Sequence, residues 1–198
     1  LLTKGKFGID CVEAGIPVPG LGCAGYGITQ LLETLGRLEL MKPDRYDAVV
    51  FDILGDVVCG GFAAPLRQGF AEKIFIIVSE EMAALYAANN IAKAVRTYSS
   101  NGAVLGGLIV NMRDPAVDRE MLERFAKLLN TRILGFIPRD PGVRQAEYLR
   151  KTMLEHAPDS EIVAQFKALA EAVLAVKVAE TPVPTPIVFL KADSRADS

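Results

Sequence analysis

The sequence is poor in the features that several classes of protein require. It has one histidine, no long stretch of a single charge, and a formal net charge of −2 at neutral pH. The lone His156 leaves no Ser/His/Asp nucleophilic arrangement to propose. Interspersed charge argues against nucleic-acid binding through phosphate neutralisation. No apolar run of about 18 residues occurs and no signal peptide opens the chain, so we expect a cytoplasmic protein without membrane contact.

Cysteine is also scarce, with three residues at Cys11, Cys23 and Cys59. An odd number in an otherwise ordinary composition argues against a disulfide framework, and buried structural thiols are the plainest interpretation. Cys11 falls in a predicted strand and is expected to pack there. Cys23 and Cys59 lie in glycine-containing loops, and Cys23 shortly precedes a predicted helix, whose N-terminus favours a thiolate.

The number of loop cysteines limits the metal that they could bind. A [4Fe–4S] cluster usually takes four thiolates. Two per chain therefore suffice only if a two-fold dimer shares one cluster on its axis. A shared zinc site is the competing interpretation, although the CxxC spacing common in zinc sites is absent. From the residues alone, cluster, zinc and structural thiols all stay open.

Short apolar runs alternate with helical patterns along the chain. The runs that predict strands are Phe7–Val12, Tyr46–Leu54, Lys73–Ser79, Val104–Val110 and Arg132–Ile137. The stretches that predict helices are Gly25–Leu35, Glu80–Arg96, Asp118–Leu129 and Ser160–Val176. Near-continuous Val, Ile and Phe runs are typical of parallel strands covered on both faces. We therefore predict an α/β fold: a doubly wound, mainly parallel sheet with helices on both faces, in one domain over residues 1–180. A Pro-rich flexible tail is expected over residues 181–198.

An aspartate at the end of a predicted strand is a further candidate for chemistry. Asp52 ends an apolar run, and Gly55 and Asp56 follow in a loop that leads to Cys59. Ligands bind at the carboxyl ends of parallel strands, where an aspartate in a nucleoside triphosphatase holds Mg²⁺ through water. A strand-end aspartate is more often a turn or cap residue, so the pattern alone is weak.

Taken together, these segments resemble the iron proteins of nitrogenase and of nitrogenase-like reductases. The resemblance extends from about Lys6 to about Val176. The stretches that carry it are CVEAGIPVPGLGCAGYG (Cys11–Gly27), FDILGDVVCGGFAAPLR (Phe51–Arg67), EMAALYAANNIAKAV (Glu81–Val95), GGLIVN (Gly106–Asn111) and FIPRD (Phe136–Asp140). It implies a P-loop NTPase-type fold and an ATP-dependent electron donor, in which Cys23 and Cys59 ligate one [4Fe–4S] cluster per homodimer. Single low-potential electrons would pass to a catalytic partner component, and ferredoxin or flavodoxin would be the electron donor.

The resemblance also assigns roles in binding MgATP. Asp52 matches the Walker B aspartate near Mg²⁺, and Asp56 matches the aspartate that positions the hydrolytic water. Asn111, Pro138 and Asp140 fall where the family contacts adenine. An asparagine amide can pair with both donor and acceptor edges of a base, which gives Asn111 an independent rationale. The alternative from another class is an Mrp or partitioning-type P-loop ATPase that acts as a metal-cluster scaffold or positioning protein, which would lack the two cysteine loops.

The chain departs from the family pattern at several positions. It contains no GxxxxGK[ST] phosphate loop, so we expect the N-terminal βα units of the fold to be missing and the chain alone not to hydrolyse ATP. Tyr26 stands where arginine is usual on the docking surface, which removes a charge and a bidentate donor. Arg144 stands where a glutamine is common near the base. The final substrate, whether dinitrogen, a tetrapyrrole or a methylthio-alkane, stays open.

Overall fold

The computed structural model describes residues 2–15, 24–42, 44–55, 63–116 and 118–188. The chain divides into two compact units, Leu1–Phe70 and Ala71–Ser198. The second unit holds most of the regular structure. Across the described ranges, no helix is both long enough and apolar enough to cross a membrane.

The first unit contains a short hairpin and one long helix. Strand β1 (Thr3–Lys4) pairs antiparallel with β2 (Asp10–Cys11). Helix α1 (Ala24–Arg37) confirms the predicted helix and packs against α2 (Ala64–Arg67). Two leucines on one face of α1, Leu32 and Leu35, are buried, as expected for an amphipathic helix.

Two strand predictions in the first unit need correction. The run Phe7–Val12 forms only the two-residue strand β2, because Phe7 adopts a left-handed conformation (φ 57°) inside a 3₁₀ turn that reverses the chain. The strand predicted over Tyr46–Leu54 is wrong, since these residues are irregular. A strand requires a neighbour for its backbone hydrogen bonds, and no described segment pairs with this run. Several of its apolar side chains are exposed instead, with Val50 86% and Leu54 71% accessible.

The second unit is built on a three-stranded parallel sheet in the order β3–β4–β5. The strands are Lys73–Val78, Val104–Asn111 and Ile133–Ile137. The helices, in chain order from α3 to α7, are Met82–Thr97, Arg119–Leu128, Pro141–Tyr148, Met153–His156 and Glu161–Leu174. Helix α3 connects β3 to β4 and α4 connects β4 to β5, which gives two consecutive βαβ units. The strands and main helices predicted for this part of the chain are confirmed, while α5 and α6 are additional.

The core of the second unit lies around β4. Its residues from Leu105 to Val110 are all buried. Neighbouring residues of a strand face opposite sides, so both faces of the sheet are covered at this strand. Leu108 and Val110 form a cluster with apolar residues of β3, α3 and α4. Gly106 is an extra residue in the β3–β4 pairing, and a Cβ there would lie 2.5 Å from the Phe75 ring, so only glycine lets that ring pack on the backbone.

Residues 181–188 form no regular secondary structure and are hydrogen-bonded to other parts of the second unit. The Thr185 amide donates to the Leu129 carbonyl at 2.9 Å. Asn89 on α3 is fully buried and forms two hydrogen bonds with the backbone of Ile187. The flexible tail over residues 181–198 stays a prediction, because residues 189–198 lie outside the described ranges.

Candidate nucleotide-binding site

Three predicted site residues meet at the carboxyl-terminal edge of the sheet. Asn111 is the last residue of β4 and lies opposite Ile137, the last residue of β5. The Met112 amide donates to the Ile137 carbonyl at 2.9 Å, which continues the pairing one residue beyond the strand. Pro138 follows Ile137 directly, and Asp140 begins the turn into α5. The sheet therefore places Asn111, Pro138 and Asp140 at one corner, where ligands bind in parallel α/β folds.

The three side chains have different environments. Asn111 is exposed, so its amide is free to pair with a ligand, whereas Pro138 and Asp140 are half-buried. Asp140 is the N-cap of α5: its Oδ1 accepts from the Gly142 amide at 2.6 Å, and Pro141 occupies the first helical position. This cap explains the aspartate structurally. The cap does not test whether Asp140 contacts adenine. The adenine contacts of Asp140, Asn111 and Pro138 all stay predictions.

A glutamate shortly after β3, Glu80, holds the loop that follows Asn111 by hydrogen bonds. Both Glu80 carboxylate oxygens lie 3.2 Å from the Arg113 amide, and Oε1 also accepts from the Asp114 amide at 2.8 Å. The pKa of the Glu80 carboxyl is lowered, first by its own backbone amide and then by those of Arg113 and Asp114, against the opposing effect of burial. Glu81 adds an ion pair with the Arg113 guanidinium at 2.9 Å.

The contact of Glu80 with the loop beside this corner was not predicted from the sequence. Two acids at the start of a helix predict a favourable interaction with its positive end. Glu81 is the N-cap residue of α3, yet no side-chain capping bond forms there, and Glu80 turns to the neighbouring loop. A signal was available, because Glu80 lies two residues after the end of β3 and adjacent parallel strands end at one edge of the sheet.

An arginine supports the corner from α4. The Arg119 guanidinium lies 4.8 Å from the centroid of the Phe136 ring on β5, within cation–π distance. Its Nη2 also lies 3.9 Å from Met112 Sδ. Arg119 therefore contacts Met112, which follows Asn111, and Phe136, which precedes Ile137. Asp118 caps the same helix by accepting from the Met121 amide at 3.1 Å.

The remaining predicted site residues belong to the first unit. Asp52 is exposed in the irregular segment, so its expected position at a strand end is not formed. Asp56, Cys23 and Cys59 lie outside the described residues. The assigned roles of all four therefore stay predictions.

Cys11 differs from its predicted environment. The thiol is free and the residue is exposed, so the prediction that it packs in a core is wrong. The reason is that β2 has two residues and belongs to a hairpin whose strands are exposed or half-buried. The hairpin is held by Asp10, which pairs with Lys4 Nζ at 2.5 Å and accepts from Tyr46 Oη at 2.8 Å.

Two cysteine donors per chain would suit a cluster shared between two chains. Within the described ranges, no group of three His, Cys, Asp or Glu side chains is arranged to hold a metal ion. Helix α1 begins at Ala24, the residue after Cys23. A position directly before a helix N-terminus generally favours a thiolate, so the place of Cys23 in the sequence suits a metal ligand. Cys23 and Cys59 supply two such donors per chain, half of what a [4Fe–4S] cluster takes.

Comparisons with known protein families and sequences agree on one group. Residues 1–192 match the family model described as "4Fe-4S iron sulfur cluster binding proteins, NifH/frxC family". The chain is 40% identical over 188 residues to a nitrogenase iron protein of Methanococcus voltae, covering 94% of this chain and 67% of that protein.

Solved structures of MinD ATPases share the fold. The cell division ATPase MinD of Pyrococcus furiosus superposes with a TM-score of 0.58 at 18% identity, over 77% of this chain and 59% of that one. MinD of Pyrococcus horikoshii, complexed with Mg-ADP, gives 0.57 at 19% identity, over 79% and 58%. The chain thus spans less than two thirds of either structure. This likeness confirms the predicted α/β fold with a parallel sheet flanked by helices.

Proposed function

The chain belongs to the NifH/frxC family of 4Fe-4S iron-sulfur cluster binding proteins, and from this we propose that it is the electron-donor component of a nitrogenase-like, ATP-dependent two-component reductase. The observation that carries the proposal is the family match over residues 1–192 together with 40% identity to a nitrogenase iron protein. The meeting of Asn111, Pro138 and Asp140 at one sheet edge supports it, because ligands bind at that edge in parallel α/β folds.

In this function the corner of the second unit would recognise the base of MgATP. The exposed amide of Asn111 can donate to a ring nitrogen of adenine and accept from its exocyclic amine. Pro138 would offer an apolar surface beside the base, and Asp140 keeps α5 starting at a fixed point. Asp52 would hold Mg²⁺ through water, and Asp56 would orient the attacking water.

Cys23 and Cys59 would hold one [4Fe–4S] cluster between two copies of the chain. When bound, the cluster supplies a single low-potential electron. Asp52 and Cys59 are separated by seven positions in the sequence. Such a short connection would couple the nucleotide state at one end to the thiolate at the other, as nucleotide-dependent loops do in other switches.

The partner would dock near the start of α1. Tyr26 lies in the first turn of this helix and is 71% exposed, so its ring is available for contact. A tyrosine in place of the family's usual arginine would select a partner surface that does not need a bidentate cation. We assign reduction of the cluster to ferredoxin or flavodoxin, and electron acceptance to a heteromeric catalytic component.

The test is iron and acid-labile sulfide per chain after anaerobic reconstitution. We expect about two irons per chain, since two chains would share one four-iron cluster. Cys59→Ser should remove the iron. Cys11→Ser is the matched control and should retain it, because Cys11 is in the exposed hairpin.

Four other results would contradict the cluster assignment. Equal iron in the wild type and in Cys59→Ser would exclude Cys59 as a ligand, and loss of iron in Cys11→Ser would change the donor set. Zinc bound in place of iron, without sulfide, would favour the zinc interpretation. ATP binding with no metal in any variant would favour a positioning ATPase of the Mrp or partitioning type.

A further inference from the structure

Glu80 contacts the loop beside the proposed base-binding corner without belonging to that corner itself. Its carboxylate accepts from the Arg113 and Asp114 amides, which lie two and three positions after Asn111. We propose that Glu80 is a positioning residue for base recognition: it fixes the backbone that follows Asn111 and so sets the Asn111 amide against adenine. This inference rests on the proposed nucleotide-binding function and adds to it the residue that makes the site selective.

The loop has few other anchors. Residues 113–116 are exposed, and the pairing with β5 ends at the Met112 amide. Beyond that point, the bonds between described residues that tie the loop to a neighbouring strand end are those to Glu80 and the Glu81–Arg113 ion pair. Backbone amides bonded to a carboxylate form charge-assisted hydrogen bonds, which are shorter and stronger than neutral ones. Glu80 is therefore the main restraint on the direction in which the chain leaves Asn111.

Base selectivity depends on that direction. An asparagine amide distinguishes adenine from hypoxanthine only if its oxygen faces the exocyclic amine and its nitrogen faces a ring acceptor. Hypoxanthine carries a carbonyl in place of the amine. The side-chain oxygen of a correctly oriented Asn111 then faces the carbonyl oxygen of the base, and two acceptors cannot form a hydrogen bond. A displacement of about 1 Å is enough to lose such alignment. Without Glu80, adenine and hypoxanthine nucleotides should bind almost equally.

Glu81 provides a matched control. It is the neighbouring residue, has the same side chain and contacts the same loop, but through a surface ion pair with Arg113 whose partners are 54% and 65% exposed. Exposed pairs of this kind contribute little. If loop fastening by any acid were sufficient, removing Glu81 would have an effect like that of removing Glu80.

The experiment measures ATP and ITP binding to the full chain by NMR titration, together with amide hydrogen exchange at Arg113 and Asp114. In the wild type we expect ATP to bind at least about fivefold more tightly than ITP, the value of one to two hydrogen bonds. Glu80→Ala should bring the ratio close to one and accelerate exchange at both amides. Glu80→Gln keeps one acceptor and should restore part of the ratio, while Glu81→Gln should leave it unchanged.

Several outcomes would overturn the inference. Faster exchange in Glu80→Ala with an unchanged ATP-to-ITP ratio would make Glu80 a loop fastener only. A wild type that binds both nucleotides equally would show that Asn111 does not read the base. If neither nucleotide binds, the proposed nucleotide site is wrong and the inference falls with it, whereas the iron measurement would still test the cluster separately. Unchanged exchange at β4 amides in the variants would show that the sheet is intact.

Discussion

At the scale of single residues, Asn89 shows how a polar side chain is accommodated in the core. It is 0% exposed, its Nδ2 donates to the Ile187 carbonyl at 2.9 Å, and its Oδ1 accepts from the Ile187 amide at 2.8 Å. One side-chain amide thus satisfies both backbone groups of a residue 98 positions away. Buried polar atoms are tolerated when each has a partner, so this pair fixes the C-terminal segment without leaving an unpaired group.

Asn89→Asp should lower the free energy of unfolding by about 2 kcal/mol or more. The change keeps the shape and one acceptor, but it removes the donor to the Ile187 carbonyl and buries a carboxylate against that oxygen. Urea denaturation gives the measurement. The control is Asn90→Asp, because Asn90 is half-buried and bonds only to the Lys93 ammonium among the described side chains, and its effect should stay within about 0.5 kcal/mol. Equal effects at the two positions would contradict the role given to the Ile187 pair.

Contacts of this kind mark the limit of what the sequence could predict. Asn111 was identified because it ends a strongly apolar run and because a family motif ends there. Glu80 and Asn89 were missed because their partners lie 33 and 98 positions away. Local patterns carry no information about which distant backbone group a carboxylate or an amide will meet, so both residues could be assigned only from the folded chain.

At the scale of elements, a run of apolar residues predicted strands well only where a neighbouring strand exists. The runs that became β3, β4 and β5 are successive, and each is joined to the next by a helix that returns the chain to a parallel position. The run Tyr46–Leu54 is also mainly apolar, with seven apolar residues of nine, but it has no described partner and is irregular. The hydrophobic pattern of a segment indicates which of its side chains prefer burial. Strand formation also requires backbone hydrogen bonds to a second segment.

The β1–β2 hairpin depends on pH through Asp10. The pKa of Asp10 is lowered, first by its hydrogen bond with Lys4 and then by that with Tyr46, and the pKa of Lys4 is raised by Asp10. Because the pKa of Asp10 is lower in the folded hairpin than in the unfolded chain, its interaction stabilises the hairpin at pH above the unfolded pKa. This stabilisation is lost as pH falls through the folded pKa. Because the pKa of Lys4 is higher in the folded hairpin, its contribution to stability is lost as pH rises through that folded pKa. Arg45, whose guanidinium lies 5.6 Å from the centroid of the Tyr46 ring, is the other charged side chain that acts on this pair.

We therefore expect the hairpin to be most stable on a broad plateau between the carboxyl and ammonium titrations. Amide exchange at Cys11, followed from acidic to alkaline pH, should show protection that falls at both ends beyond the intrinsic pH effect. Asp10→Asn should flatten both limbs, since it removes the charge shared by the two shifts. A variant profile identical to that of the wild type would show that the Lys4–Asp10 pair does not hold the hairpin.

At the scale of the whole molecule, the number of cysteines makes oligomeric state part of the proposed function. One chain offers only Cys23 and Cys59 in glycine-containing stretches of sequence, and a [4Fe–4S] cluster takes four thiolates. Two copies related by a two-fold axis supply four equivalent ligands through one self-complementary contact. Cluster binding and dimer formation are then one equilibrium, in which whatever binds only the dimer stabilises it.

We therefore expect the chain to form a dimer only when the cluster is bound. In anaerobic sedimentation, the reconstituted chain should have about twice the mass of the apo chain, and chelation of the iron should return it to the apo value. Cys59→Ser should not show the cluster-dependent increase, whereas Cys11→Ser should behave as the wild type. The comparison also separates two causes of association, because exposed apolar residues such as Val50 and Leu54 (86% and 71% accessible) could join chains without any metal. Association through such a patch would persist in Cys59→Ser and after chelation, and that result would remove the cluster as the reason for the dimer.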